Sequence, residues 1–578
     1  MISKVDDNVM KKAKIWLDGA YDDETKAAIR QMIDHDPEEL IESFYQNLEF
    51  GTGGLRGIMG VGSNRMNKYT VGAATQGFAN YLKLKFPDTD QIKTAIAFDC
   101  RNNSKYFAQI TADVFSANGI KVYLFDDLRP TPELSFAIRH FGCQGGIVIT
   151  ASHNPKEYNG YKAYWDDGGQ LISPHDKNVI TEVQNIEDIA DVKFESDPEL
   201  IETIGEDIDS LYIEQIKSLS LSTEAINRQK DLKIVYTPIH GTGVKLVPMA
   251  LNAFGFENVY SVKEQDIVDG NFPTVISPNP EESAALEMAL NLADSIDADL
   301  VMATDPDADR VGIAIRKDGK LVLLNGNQAA TLLIYYLLEK WKENGLLKGK
   351  EYIVKTIVTT ELLFDIANKY KVDHYDVLTG FKYIADIIKD LEGVKKFIGG
   401  GEESYGYLVG DFVRDKDAVS ACTMIAEVAA WAADKDIGLF DLLKDIYSEF
   451  GFYKEDLISV VRKGKSGAEE IQQMMDNFRN NPPESLNGSK LINVKDYLLS
   501  TEKDMVSDEE KEIHLPKSNV LQFFTEDGSK ISIRPSGTEP KIKFYFGVKA
   551  SLKNVEDFEQ VNTELEIRIK DIIKDLGI

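Results

Sequence analysis

The sequence has few cysteines, no long apolar run and a deficit of basic residues. Cys100, Cys143 and Cys422 are the three cysteines among 578 residues, an odd number at wide spacing. They form neither a CxxC pair nor a metal-binding cluster, which is typical of a protein from a reducing cytoplasm. No run of about 18 apolar residues occurs, so no membrane-spanning helix is predicted. The charged start of the chain, MISKVDDNVMKKAKIW, lacks the apolar stretch of a secretory signal. We therefore expect a cytoplasmic protein that does not bind membranes.

The shortage of positive charge limits the possible partners. Lys and Arg together number 65 against 95 for Asp and Glu, which gives a formal net charge of −30. Such an acidic chain is not expected to bind nucleic acid as its main partner. If it binds a small anion instead, its basic groups must be concentrated at the binding site.

Short strand-like runs alternate with helix-like stretches over most of the chain. The hydrophobic content of 43% is ordinary for a globular protein, and the length suggests roughly three to five domains. Three rounds of strand, polar loop and helix predict α/β units with mostly parallel or mixed sheets. After about Phe452, strand-like runs at 520–524, 530–534 and 542–548 precede a helix at 555–573. We therefore predict three tandem related α/β domains and a smaller C-terminal α+β domain, with the active site in the central cleft. The predicted domains span residues 1–215, 216–325, 326–455 and 456–578.

In an open α/β sheet the ligand binds at the carboxyl ends of the strands, where the polar loops of this chain lie. The segment ITASHNPKEYNGYK places Ser152, His153 and Lys162 just after an apolar run that ends at Thr150. An ordinary polar turn would explain this loop equally well if it stood alone.

The segment ATDPDADR follows the apolar run DLVMA and carries Asp305, Asp307 and Asp309 in alternation. Three adjacent carboxylates repel one another unless a cation gathers them, and oxygen ligands without His or Cys favour Mg²⁺ over Zn²⁺. A calcium-binding EF-hand is excluded, because Arg310 and Arg316 stand where that loop needs Gly and Glu. A solvated acidic turn is the remaining alternative. Arg310 beside a cation makes sense if a phosphate also binds there.

Two further loops suggest a sugar phosphate as ligand. In FIGGGEESYGYL, three glycines permit close approach of the backbone, and Glu402 and Ser404 could bind vicinal hydroxyls of a sugar. A plain Gly-rich turn is at least as good an explanation of that loop. In ISIRPSGTEPKIKFYF, a loop between two strands carries Arg534, Ser536, Gly537 and Thr538, a composition that suits phosphate. An ordinary hairpin loop is the alternative there.

Taken together and in this order, the four motifs closely resemble those of the α-D-phosphohexomutase superfamily, which includes phosphoglucomutases and phosphomannomutases. The resemblance extends from FGTGGLRG, at 50–57, to RPSGTEP. Within the superfamily, the chain looks most like the long bacterial phosphoglucomutase branch that is related to phosphopentomutases.

The resemblance implies a role for each matching residue. Ser152 matches the phosphoserine, which would complete the coordination of one Mg²⁺ by Asp305, Asp307 and Asp309. The other matching residues fall into three groups. Near the transferred phosphoryl group we expect Arg56, His153 and Lys162, the last as a candidate proton acceptor. As substrate-binding residues we expect Arg310, Gly380, Lys382, Glu402, Ser404 and Lys416. Around the phosphate that does not react we expect Arg534, Ser536, Gly537 and Thr538.

The resemblance also implies a reaction with a small phosphosugar. We expect glucose 1-phosphate and glucose 6-phosphate to interconvert through glucose 1,6-bisphosphate, which acts as activator and intermediate; mannose and pentose phosphates are the alternative substrates. Many dual-specificity relatives have GEMSGH in the sugar loop, with a histidine proposed for proton transfer. This chain has GEESYG, so the resemblance leaves the acid–base group open.

Two other classes of function fit part of the pattern. A dehalogenase-type phosphatase or mutase would use Asp305 or Asp307 as nucleophile. A non-catalytic regulator that binds sugar phosphates would keep the Arg and Glu loops, but it would need neither Ser152 nor three metal carboxylates.

Overall fold

The computed structural model describes residues 5–51, 53–462, 464–536 and 541–578. For Gly464 and Lys465 it describes only the backbone. The chain forms two compact units. The first comprises Met1–Asn325, Phe381–Gly399 and Ser404–Asp434. The second comprises Gly326–Gly380, Gly400–Glu403 and Lys435–Ile578.

The first unit begins with three short helices: α1 (Asp7–Asp18), α2 (Asp23–His35) and α3 (Pro37–Phe44). Each starts after an aspartate, and each of those three carboxylates accepts a backbone N–H of the first turn. Such N-caps satisfy donors that the helix itself leaves unpaired. The helices bury Trp16 and Phe44 against Tyr69, so they share an apolar core with the α/β domain that follows.

The first sheet has six strands in the order β1-β5-β4-β2-β3-β6. In chain order this region contains β1 (Gly54–Ile58), α4 (Lys68–Lys85), β2 (Lys93–Phe98), α5 (Ser104–Ala117), β3 (Lys121–Phe125), α6 (Thr131–Phe141), β4 (Gly145–Ile149), β5 (Tyr158–Trp165), α7 (His175–Gln184) and β6 (Ile201–Ile204). Strands β4, β2, β3 and β6 are parallel, whereas β5 runs antiparallel to both β4 and β1. Strand β4 is buried along its whole length, as expected for a sheet that helices cover on both faces.

The second sheet repeats this arrangement in the order β11-β10-β9-β7-β8. The region contains α8 (Glu206–Lys217), α9 (Thr223–Arg228), β7 (Ile234–Thr237), α10 (Gly243–Phe254), β8 (Val259–Ser261), α11 (Ser283–Ile296), β9 (Leu300–Thr304), β10 (Val311–Lys317) and β11 (Lys320–Leu323). Strands β7, β8 and β9 are parallel, and β10 returns antiparallel beside β9. The position of β9 in this sheet is therefore the position of β4 in the first.

The chain then enters the second unit, returns to the first at 381–399 and again at 404–434, and ends in the second. This region contains α12 (Gly326–Glu343), β12 (Glu351–Thr356), α13 (Leu362–Tyr370), β13 (Asp373–Val377), α14 (Phe381–Asp390), β14 (Lys396–Gly401), β15 (Tyr407–Val409), α15 (Ala418–Ala433) and α16 (Leu439–Phe450). Strands β12 and β13 are parallel. Helix α15, which is rich in Ala, is buried over nearly its whole length in the first unit.

The C-terminal region is built on an antiparallel sheet in the order β16-β23-β22-β21-β18-β19-β20, with β17 paired to β18. Its elements are β16 (Phe452–Val461), α17 (Gly464–Asn480), β17 (Ser485–Leu486), β18 (Ser489–Asp496), β19 (Thr501–Asp504), β20 (Glu510–Glu512), β21 (Leu521–Thr525), β22 (Lys530–Pro535), β23 (Lys541–Ala550) and α18 (Phe558–Leu576). The predicted α/β class and the α+β tail are confirmed. Among the described helices, none combines the length and apolar character needed to cross a membrane.

Strand β16 contributes a carboxyl group to the interior of the second unit. Oxygen Oε1 of Glu455 is buried, and it has no hydrogen-bond partner among the described residues. Burial raises the pKa of Glu455 to about 7, although Thr360 and Lys530 act in the opposite direction. The folded protein therefore holds this proton more tightly than the unfolded chain does. The resulting stabilisation is complete below the ordinary glutamate pKa and is lost as the pH rises through about 7.

Replacing Glu455→Gln should therefore stabilise the second unit selectively at alkaline pH. At pH 8 the variant avoids a buried negative charge, and the free energy of unfolding should rise by on the order of 2 kcal/mol. At pH 4, below the ordinary glutamate pKa, the glutamate is protonated in both the folded and the unfolded state, so the difference should be small. Urea unfolding at both pH values measures this, with the exposed Asp456→Asn as control. An equal effect at both pH values would contradict the interpretation.

Candidate active site

Ser152 lies shortly after β4, in the loop that leads to β5, at the carboxyl edge of the first sheet. Its side chain is buried, with 4% of the residue exposed, and its φ of 51° is left-handed. The backbone N–H donates to Thr150 Oγ1 at 2.8 Å, and the hydroxyl donates to Asp305 Oδ2 at 2.8 Å. The left-handed turn thus points the hydroxyl at the aspartate loop that follows β9.

Strands β1 and β5 each place one basic residue beside this loop. Strand β1 pairs with β5 so that Arg56 lies opposite Gly160 and Gly54 lies opposite Lys162. A Cβ on Gly54 would lie 1.7 Å from the carbonyl oxygen of Tyr161, so only glycine permits this close approach. Because opposed residues and those two positions away share a face, Arg56 and Lys162 project from the same side of the sheet.

The three aspartates lie together between β9 and β10, where their ligand oxygens are all within 4.8 Å of one another and could hold a metal ion. Asp305 and Asp307 are fully buried, and Asp309 is 2% exposed. Asp305 Oδ1 accepts the backbone N–H groups of Asp309 and Arg310, each at 3.1 Å. These bonds fold the loop back on itself and direct the carboxylates toward one point.

Cationic side chains surround the carboxylates. Lys162 Nζ lies 2.7 Å from Asp307 Oδ2 and 3.2 Å from Asp309 Oδ2. Lys416 Nζ lies 3.1 Å from Asp309 Oδ2, and Arg310 pairs with Glu281 at 2.7 Å. Such pairing compensates for the high cost of burying several like charges.

The same contacts shift the pKa values of the groups in the cluster in different directions. Burial, together with the charges of Asp307 and Asp309, raises the pKa of Asp305 well above its ordinary value. Burial also raises the pKa of Asp307, but the adjacent Lys162 outweighs this and holds it below the ordinary value. Burial lowers the pKa of Lys162, and the two carboxylates reverse this and raise it.

The donor set fits a hard divalent cation. Asp307 Oδ1 and Asp309 Oδ1 are buried without a hydrogen-bond partner among the described residues. Buried carboxylate oxygens of this kind are costly unless something binds them. Three carboxylates with neither His nor Cys favour Mg²⁺ among the common metals.

His153 and Lys416 border the same cluster. His153 Nδ1 lies 3.2 Å from Ser152 Oγ. Burial, reinforced by the positive charges of Arg310 and Arg56, lowers the pKa of His153 to about 3, so its ring is neutral at pH 7. Lys416 passes close to Gly406, where a Cβ would lie 2.1 Å from Lys416 Cδ. The glycine that ends GEESYG therefore leaves the space through which Lys416 reaches Asp309.

The predicted substrate-binding residues are divided between the two units. In the first unit, Lys382 is partly buried on α14, and burial lowers its pKa; Ser404 is partly exposed in the loop before β15. In the second unit, Glu402 is 7% exposed, and its Oε1 accepts the Gly380 N–H at 2.9 Å. This bond places two predicted residues together.

The predicted phosphate loop is described in part. Arg534 lies near the end of β22 opposite Lys543 of β23, and the Ser536 N–H donates to the Lys541 carbonyl at 2.7 Å. Gly537 and Thr538 lie outside the described residues. The described portion brings Arg534, Ser536 and Lys541 to one end of the β22–β23 pair.

Sequence reasoning missed two residues that contact the site. Thr131, at the start of α6, donates its hydroxyl to Asp307 Oδ2 at 2.9 Å. Arg101, in the loop after β2, donates to backbone carbonyls of the Ser152 loop. The sequence AFDCRNNS contained a signal for the second, because an Asp and an Arg directly follow an apolar strand.

The chain matches models of a known protein family in four successive regions. Models of the phosphoglucomutase/phosphomannomutase family match in sequence: alpha/beta/alpha domain I at residues 47–190, domain II at 210–319, domain III at 325–450 and the C-terminal domain at 490–565. The phosphoglucomutase of Staphylococcus haemolyticus is 39% identical over 529 residues, which cover 91% of this chain and 93% of that protein.

Solved structures share the fold at low sequence identity. A putative phosphomannomutase from Thermus thermophilus matches with a TM-score of 0.66 and 20% identity, over 92% of this chain and 98% of that one. The open form of parafusin, a phosphoglucomutase from Paramecium, matches with a TM-score of 0.67 and 17% identity, over 92% and 96%. With matching models in all four regions and a relative that aligns along nearly the whole length, the chain belongs to the phosphoglucomutase/phosphomannomutase family.

Proposed function

We propose that this protein is a phosphoglucomutase that interconverts glucose 1-phosphate and glucose 6-phosphate through a phosphoserine at Ser152. The observation that carries the proposal is the 2.8 Å contact between Ser152 Oγ and Asp305, a member of the aspartate cluster. The phosphoglucomutases that are 39% and 37% identical to the chain support glucose as the sugar. A phosphomannomutase is not favoured by these relatives.

Two phosphoryl transfers complete the reaction. Phosphorylated Ser152 gives its phosphoryl group to the 6-hydroxyl of glucose 1-phosphate, and the hydroxyl proton leaves to a base. The resulting glucose 1,6-bisphosphate turns end for end, its 1-phosphoryl group returns to Ser152, and the 1-oxygen takes up a proton as glucose 6-phosphate leaves. Catalysis of this kind depends mainly on positioning and on stabilisation of negative charge.

Basic and hydroxyl side chains would supply that stabilisation. We assign Arg56, Lys162 and Arg310 to the transferred phosphoryl group, and Arg534 with Ser536, Gly537 and Thr538 to the other phosphate. A Mg²⁺ ion held by Asp305, Asp307, Asp309 and the phosphoserine would neutralise further charge when bound.

The acid–base role is best supported for Lys162. Burial lowers its pKa, but Asp307 and Asp309 outweigh burial and keep it raised. Lys162 can therefore take up a proton only when those carboxylates bind a cation in its place and burial then lowers its pKa. His153 is neutral at pH 7 and accepts protons only weakly because of its low pKa. Lys162 is therefore the proposed proton carrier, while His153 borders the Ser152 hydroxyl.

The substrate assignment rests on the distance between the two ends of the sugar phosphate. Glu402 and Ser404 would hold the 3- and 4-hydroxyls, which glucose and mannose present alike, and Lys416 favours the glucose branch. Ribose 1-phosphate has a five-membered ring, so its 5-hydroxyl lies at a different distance from its 1-phosphate than the 6-hydroxyl of glucose does. A misplacement of about 1 Å can cost on the order of a hundredfold in rate.

We expect kcat/KM to be highest for glucose 1-phosphate, lower for mannose 1-phosphate and lowest for ribose 1-phosphate. If parallel assays showed a preference for ribose 1-phosphate, the assigned substrate would change, but the proposed mechanism would remain.

Ser152→Ala should abolish turnover of glucose 1-phosphate, since the variant cannot carry a phosphoryl group. The fold should persist, because a loop hydroxyl contributes little to packing. Phosphopeptide mapping of the wild-type protein after incubation with glucose 1,6-bisphosphate should locate the phosphate on Ser152. A phosphate on Asp305 or Asp307 would instead indicate the dehalogenase-type mechanism.

Asp307→Asn should weaken Mg²⁺ binding by about tenfold or more, because one of the three carboxylate ligands is lost. Activity should disappear in excess chelator and return best with Mg²⁺. Calorimetric titration with Mg²⁺ measures the affinity. The control is Asp294→Asn, whose carboxylate pairs with Arg316 on the surface. Equal affinity in both variants would reject the three-carboxylate site.

A further inference from the structure

Arg101 is a buried cation that the mechanism above does not use. It follows β2 in the loop Asp99–Cys100–Arg101, and its side chain is fully buried. Asp99 Oδ2 lies 3.4 Å from Arg101 Nε, and Asp99 Oδ1 accepts the Arg101 N–H at 2.9 Å and the Ser104 hydroxyl at 2.6 Å. The carboxylate is thus held by a backbone N–H and by a hydroxyl, and it faces the guanidinium as an ion pair, with no hydrogen bond to Asp99 Oδ2 or Arg101 Nε among the described residues.

The guanidinium donates to four carbonyl oxygens of the segment that carries the nucleophile. Its Nη1 donates to Pro155 at 2.9 Å and to Tyr158 at 3.1 Å. Its Nη2 donates to the carbonyls of Ser152 and Asn154. Four carbonyls of a seven-residue segment, 152–158, therefore converge on one planar cation. Buried carbonyls require such partners, and a single lysine nitrogen cannot reach four in this arrangement.

A second loop packs against the guanidinium. The ring of Phe272 lies 5.1 Å from Arg101 Cζ, a favourable cation–π distance. His240 holds this loop, since its ring nitrogens lie 2.7 Å from the Ile267 carbonyl and 2.8 Å from Thr274 Oγ1. The guanidinium therefore has little freedom to move.

We propose that Arg101 is a positioning residue for phosphoryl transfer, because it sets the path of the Ser152 loop through these four carbonyls. The inference rests on the proposed function for its effect on rate, but the effect on the loop is independent of any substrate. Arg101 also occupies carbonyl oxygens that would otherwise present negative charge close to an incoming phosphate. Its contacts with the loop are to backbone oxygens, so it acts through Ser152 and not on the sugar.

Arg101→Lys should therefore lower kcat for glucose 1-phosphate by about 10- to 100-fold, the range expected when a reacting group shifts by about 1 Å. KM should change less than about threefold, because the residues proposed to bind the sugar are elsewhere. Hydrogen exchange measured by mass spectrometry should be faster across residues 150–158. Asp99→Asn, which frees the guanidinium without removing it, should give a smaller effect of the same kind if the lysine variant folds poorly.

Arg65→Lys is the matched control. Arg65 is also buried, at 5% exposure, and it binds the Glu39 carboxylate and the Glu42 carbonyl. Its replacement should lower stability without a change in kcat or in exchange across 150–158. Unchanged kcat in Arg101→Lys, or unchanged exchange of the loop, would overturn the inference. A wild-type protein that fails to convert glucose 1-phosphate would instead reject the proposed function, while faster loop exchange in the variant would still support the placement of the loop by Arg101.

Discussion

The mutual repulsion of Asp305, Asp307 and Asp309 is the constraint on which the rest of the site depends. Each carboxylate is almost completely buried, so its charge must be compensated by groups brought from other parts of the chain. Lys162 comes from β5 of the first sheet, and Lys416 from the segment after β15. The aspartate loop is therefore stable only when these elements are packed together, which ties the formation of the site to the folding of the first unit.

The chemical motifs could be predicted from the sequence because they are local. A strand followed closely by Ser152, or by three alternating aspartates, can be recognised without knowledge of tertiary contacts. The strands at 521–525, 530–535 and 541–550 also lie within a few residues of the prediction. Apolar residues recur at every second position, at Ile531 and Ile533 in β22 and at Ile542, Phe544, Phe546 and Val548 in β23, which is the signal that sequence analysis uses for strands.

The missed features lack such a signal or depend on distant contacts. Strands β19 and β20, with the sequences TEKD and EKE, have no apolar alternation, and only their pairing with β18 and with each other makes them strands. Arg101 binds carbonyl groups, which every residue possesses, so no side-chain pattern in the loop reveals its partner. Thr131 and Asp307 are 176 positions apart. Contacts of these kinds follow from the packing of the two sheets and not from any local pattern.

The matching positions of β4 and β9 have a consequence for how such a protein can change. Ser152 follows β4 and the aspartates follow β9, so the proposed phosphoserine and the proposed metal ligands occupy the same turn of a repeated architecture. In chain order, Glu402 follows β14 in the corresponding place. The sequence of such a turn can change while the strands that support it keep their apolar sequences. Domains of one architecture can thus differ one turn at a time, so a different specificity for the sugar would require changes in the turn after β14 while the turns after β4 and β9 stay the same.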